Sequence, residues 1–96
     1  MIELNKRYKK SSSMVGRKVA SELILVPIRQ NIAAMENIYT LNDVASRVWE
    51  LLDDHTTVGE IVSVLTKEYA VEARQAEADV MEFLASMEEI EAVQEA

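Results

Sequence analysis

The sequence predicts an α+β fold in a winged-helix-like order, a small three-stranded antiparallel sheet followed by three helices (βββααα). Three observations carry this. Glu22-Leu23-Ile24-Leu25-Val26-Pro27-Ile28 is a compact apolar run rich in β-branched residues, which suits a strand buried on at least one face. Ile38-Tyr39-Thr40 passes through Leu41-Asn42 straight into a helical pattern, with no loop between. The rest of the chain repeats apolar residues at helical spacing in three stretches. No strand is followed by a crossover helix to another strand, so a parallel sheet is not expected.

Residues 1–13 lack periodicity, end in Ser11-Ser12-Ser13 and read as a flexible basic arm. Met14, Val15 and Val19 around Gly16 suit a short first strand. The second strand is the 22–28 run, with Pro27 at an edge or an end because it cannot donate to a ladder. The third strand is Asn37–Leu41, with Tyr39 and Leu41 on one face and Ile38 and Thr40 on the other. Asn42 suits an N-cap, followed by Asp43, and a Thr40/Asp43 capping box is the rival start. Ala45, Val48, Trp49 and Leu52 then share a face, and the Trp49 ring is expected under the sheet. Thr57 and Glu60 have the form of a capping box, followed by the stripe Val58, Ile61, Val62, Leu65 and Tyr69. A third helix begins near Arg74 with the stripe Ala76, Val80, Phe83, Leu84 and Met87. The folded domain is expected over 14–93, with a frayed tail over 94–96.

Ninety-six residues at 49% hydrophobic composition suffice for one compact core. The chain has no cysteine, which excludes disulfides, thiolate catalysis and Cys-ligated zinc. The start has no apolar signal segment, and no run reaches the roughly 18 apolar residues of a membrane span. The expected location is cytoplasmic, with no membrane partner. Charge is split. Residues 1–20 carry six Lys/Arg against Glu3 alone, while the other 76 carry four bases and sixteen acids, for a net charge of −7. The acidic body repels phosphate backbones. The second and third helices offer only Lys67 and Arg74 as bases, where a DNA-recognition helix needs several, so no nucleic-acid partner is expected.

Little in the sequence resembles a catalytic site. His55 stands in Asp53-Asp54-His55, three adjacent groups with no fourth ligand, which fits loop chemistry better than a metal site. Gly16 and Gly59 are the only glycines, so no phosphate-cradling loop is expected. No metal, cofactor or enzymatic activity is expected. Two features point instead to binding. The 37–41 strand is a candidate open edge, and open edges are hazards unless covered or used for docking. The third helix also has a wider apolar face than its core stripe requires, with Met81 and Ala85 beside the stripe and Leu84 at its border.

These pieces together resemble the pyrroloquinoline quinone (PQQ) synthesis protein D (PqqD) family, small domains also called RiPP recognition elements. The likeness is carried by Ile38-Tyr39-Thr40-Leu41-Asn42, Ala45, Val48-Trp49-Glu50-Leu51, Thr57-Val58-x-Glu60-Ile61, Tyr69, Asp79-Val80 and Phe83-Leu84, in that order, over about residues 15–93. The resemblance implies a three-stranded sheet with three helices and no catalysis. It implies a peptide-binding adaptor or chaperone that takes the leader of a ribosomally made precursor peptide and presents it to a modifying enzyme, often a radical SAM enzyme, as in PQQ biosynthesis. The leader adds as a strand beside the third strand and packs on the third helix. Carried onto this chain, the peptide-binding residues are Asn37, Ile38, Tyr39, Thr40 and Leu41 on the strand, and Glu77, Val80, Met81, Leu84 and Glu88 on the helix. The family usually has Gly after its last helix, where this chain has Glu91, and the 29–35 stretch is longer than the usual turn. The alternative is a structural domain that dimerises through the same edge. The expected state is a monomer or weak homodimer.

Overall fold

The computed structural model describes residues 2–20, 22–27 and 39–96. Along them run β1 (Tyr8–Lys10), β2 (Met14–Val19), β3 (Glu22–Pro27), β4 (Tyr39–Leu41), α1 (Asp43–Leu51), α2 (Val58–Tyr69), α3 (Ala73–Glu89) and β5 (Val93–Glu95). The predicted sheet is β2-β3-β4, antiparallel throughout, followed by the three helices. Asn37 and Ile38, predicted as the start of the third strand, lie outside the described residues, as does Ile28 at the end of the second.

The pleat decides what faces the core. Leu23, Leu25 and Pro27 of β3 are buried, while Ile24 and Val26 between them are half-buried. Leu41 joins the buried side of the sheet, and Thr40 faces out. Trp49 returns under the sheet, as its spacing predicts. A Cβ built on Gly16 would lie 2.9 Å from the Trp49 Nε1, so the ring passes where only a glycine leaves room. Asn42 caps α1 by accepting the Ala45 N–H at 2.8 Å, which decides between the two predicted starts. At α2, the Thr57 hydroxyl accepts the Glu60 N–H and the Glu60 carboxylate accepts the Thr57 N–H, the reciprocal box predicted from the sequence. Arg47 grips Glu68 through both carboxylate oxygens, at 2.8 and 2.9 Å, fastening α1 to α2.

The two ends differ from expectation. Residues 8–10 form β1 rather than part of an arm, and Val93–Glu95 form β5 rather than running into a frayed tail. They pair antiparallel, with Tyr8 opposite Glu95 and Lys10 opposite Val93. Tyr8 is only 1% exposed and lies in the same core cluster as Ala92 and Val93. The physical reason is the start of α2, whose first N–H groups have no partner inside the helix. The Lys6 carbonyl accepts the Val58 N–H and the Leu4 carbonyl accepts the Gly59 N–H, both at 2.9 Å. A Cβ on Gly59 would stand 3.3 Å from that Leu4 oxygen, so this glycine permits the approach. Lys6 also bridges Glu95 at 3.1 Å. Beyond α3 the chain turns at Glu91, where φ is 60°, a left-handed value that glycine adopts at no steric cost.

Four carboxylates are held below their ordinary range by this scaffold. Glu50 is held by hydrogen bonds from Lys18 and then Arg47, Glu68 by Arg47, Glu60 by the Thr57 backbone N–H and Asp53 by the Thr56 backbone N–H. Their folded-state values lie below the unfolded ones. Their contribution to stability is therefore complete above the ordinary carboxylate range and is lost as pH falls through the depressed values. The urea midpoint, followed by circular dichroism, should be level near neutrality and fall below about pH 5. Each group is exposed, so the slope should be shallow. A midpoint unchanged down to about pH 3 would show that these four carboxylates do not contribute. No helix among the described residues is long and apolar enough to cross a membrane.

Candidate peptide site

The edge of β4 is the first half of the site. β4 pairs with β3 through Leu23–Leu41, Ile24–Thr40 and Leu25–Tyr39, and its other side has no strand partner among the described residues. The edge is short because Asn42, immediately after Leu41, caps α1 and ends the extended run. The buried Ser46 hydroxyl donates to the Leu41 carbonyl at 3.3 Å, which ties the helix back to the strand it follows.

The second half is a cleft of about 390 Å³ between α1 and α3. Asn42, Val44, Ala45 and Val48 form one wall, and Asp79, Glu82, Phe83 and Ser86 form the other. Apolar surface comes from Val44, Ala45 and Phe83, all half-buried against the core. Because Asn42 belongs to the wall, the cleft opens at the point where the β4 edge ends.

Of the residues the sequence singles out on α3, none lines this cleft. Val80 and Leu84 are 0% exposed, so their side chains are spent on the core and offer no surface to a ligand here. Glu77 and Met81 are half-buried and Glu88 is exposed, on the far flank of the helix. At about 100° per residue, Glu77, Met81 and Glu88 stand roughly 180° around α3 from Asp79, Glu82, Phe83 and Ser86, with the core stripe between the two flanks. Glu88 faces the other end of the molecule, where its charge adds to burial in pushing the Tyr8 hydroxyl above its ordinary range. Tyr39, Thr40 and Leu41 stand on the edge strand as predicted, with Leu41 turned into the core. Phe83 is the residue that the spacing argument assigns to the core alone. Its signal was its place at the outer limit of an apolar face too wide for one stripe.

The loop at Asp53 is accounted for locally. The Asp53 carboxylate accepts the His55 N–H at 3.0 Å and the Thr56 N–H at 2.8 Å, while His55 Nε2 lies 3.1 Å from Asp54. No group of three His, Cys, Asp or Glu placed to hold a metal ion occurs among the described residues.

Comparison with known proteins decides the family. A family model described as coenzyme PQQ synthesis protein D (PqqD) matches residues 22–93, most of the chain. The chain belongs to the PqqD family. The match runs from β3 through all three helices into β5, so it takes in the β4 edge and both walls of the cleft. Two solved structures share this PqqD-family fold. TbiB1, in complex with the TbiA(beta) leader peptide, is 27% identical with a TM-score of 0.76, covering 90% of this chain and 94% of that one. A lasso peptide synthetase B1 complexed with the leader peptide is 22% identical with a TM-score of 0.77, covering 92% of this chain and 98% of that one. The latter likeness shows the fold alone. No curated protein sequence matches this PqqD-family chain.

Proposed function

We propose that this chain is a non-catalytic peptide-binding adaptor. It takes the leader of a ribosomally made precursor as an added strand on the β4 edge and presents it to a modifying enzyme, such as a radical SAM enzyme, in the cytoplasm. The observation that carries this reading is the continuity of the β4 edge, which has no strand partner among the described residues, with the cleft between α1 and α3. TbiB1, with the same fold, was captured with a leader peptide, which supports the class of ligand.

Energetics require both halves of the site. A strand paired along Tyr39–Leu41 gains two or three hydrogen bonds, each worth roughly 0.5–1.5 kcal/mol net, or about 1–4.5 kcal/mol before ordering costs. Micromolar binding needs about 8 kcal/mol. An apolar side chain seated against Phe83, Val44 and Ala45 supplies the difference.

The test is a titration of isotope-labelled protein with the leader encoded beside its gene, read by amide shifts. Shifts at Tyr39–Ala45 and Asp79–Ser86 are expected. Phe83→Ala should weaken binding by about 1–2 kcal/mol, roughly five- to thirtyfold, as for a buried aromatic anchor. Met81→Asp, on the opposite flank, should bind as the wild type does. The reverse pattern would move the site to the Glu77–Met81–Glu88 flank. A second copy of the chain pairing through the same edge would compete with the leader, and mass measured against concentration would reveal it.

A further inference from the structure

Among the described residues, four carboxylates stand within ion-pair distance of a Lys or Arg. Glu3 and Glu95 meet Lys6, Glu50 meets Lys18 and Arg47, and Glu68 meets Arg47. The two carboxylates of the cleft wall are not among them. Asp79 accepts one bond, at 2.8 Å, from the neutral amide of Gln75. Neither Asp79 nor Glu82 has a cation within ion-pair distance among the described residues. Both are exposed, and both line the cleft beside the half-buried Phe83. Glu77 and Glu88, on the opposite flank, are also acidic but do not line this cleft.

Resting on the peptide-binding reading above, we infer that the cleft selects by charge. The strand it accepts carries a Lys or Arg seated between Asp79 and Glu82, next to the apolar side chain that rests on Phe83. Two carboxylates one helical turn apart repel each other, and a cation placed between them relieves that repulsion. The apolar wall excludes water on one side, so the attraction is stronger there than on an open surface. A peptide with Asp or Glu at that position meets two like charges, in a molecule whose net charge is already −7, and is rejected. Asp79 and Glu82 therefore discriminate among leaders, while Phe83 and the β4 edge supply affinity that is indifferent to charge.

The experiment uses the full chain as bait for a phage-displayed library of random linear peptides. Three proteins are compared: wild type, the neutral pair Asp79→Asn/Glu82→Gln, and the reversed pair Asp79→Lys/Glu82→Lys. All four substitutions are at exposed helix positions, and matching circular dichroism spectra establish that the fold is kept. Peptides retained by the wild type should be enriched several-fold in Lys and Arg over Asp and Glu. The neutral pair should lose that bias, and the reversed pair should invert it. A wild-type binder should lose about tenfold in affinity for the reversed pair and recover it when its own Lys is changed to Glu. Peptides that Phe83→Ala releases but that show no charge bias on any of the three proteins would overturn the inference and leave the peptide-binding reading standing. Failure of all three proteins to retain any peptide would overturn both.

Discussion

Trp49→Ala is expected to lower the free energy of unfolding by about 3–5 kcal/mol, the range for removing a large buried aromatic. Against a total of roughly 5–15 kcal/mol for a domain, that is a large share. The ring is 5% exposed and lies between α1 and the sheet, where Gly16 leaves room for it. Area gives a consistent size. Burying roughly 150–250 Å² at about 25 cal/mol/Å² is worth roughly 4–6 kcal/mol as an upper bound. The Lys10 ammonium, 5.6 Å from the ring centroid, adds a smaller cation–π attraction that ties the end of β1 to α1. Urea titration by circular dichroism measures the loss. A change below about 1 kcal/mol would mean that the ring does not fill the space under the sheet.

The second large effect is at Tyr8, and it has two arms. Tyr8→Ala should cost about 3–5 kcal/mol, since the side chain is among the most buried in the molecule. Tyr8→Phe should cost nothing and gain up to about 1–3 kcal/mol, because the Tyr8 hydroxyl is buried with no hydrogen-bond partner among the described residues. A mobile N-terminal arm would give no effect in either arm of the test. A hydroxyl held by a partner would make Tyr8→Phe destabilising. Urea midpoints of the three proteins separate these outcomes.

Local chemistry made much of the fold legible. Asn42, Thr57 and Glu60 announce two helix starts through side chains that reach only three residues along the chain. The 22–27 strand is marked by a compact apolar run rich in β-branched residues, which needs no knowledge of its neighbours. The β1–β5 pair had no such signal. Each strand has three residues, too few for an alternation to show, and their pairing joins the two ends of the sequence. Only Tyr8, a lone aromatic among lysines, hinted that residues 8–10 had somewhere to go. The candidate site was legible only in part for a similar reason. Tyr39-Thr40-Leu41 leading into Asn42 marked the edge strand, because a cap must end it. On α3 the periodicity identified the core stripe and a surplus of apolar width, but a stripe has two flanks. Met81 borders one and Phe83 the other, and which flank meets α1 is set by how α3 crosses the other helices. That is tertiary information, absent from the spacing of residues on α3 itself. Glu91 makes the same point. It stands where the family usually has Gly, and the backbone there keeps the left-handed conformation regardless.

The joining of the ends sets an order on the molecule's first moments. Lys6 and Glu95, partners across the β1–β5 pair, are 89 residues apart in sequence. On a ribosome, β2–β4 and the helices can emerge and collapse while β1 still waits for its partner. Such long-range closure is the slow step in a small domain's folding. Until residues 93–95 clear the exit tunnel, Tyr8 has no strand to lie against and the start of α2 has no fixed chain above it. A nascent chain halted a few residues short would hold a formed edge and cleft on a core still open at the opposite end.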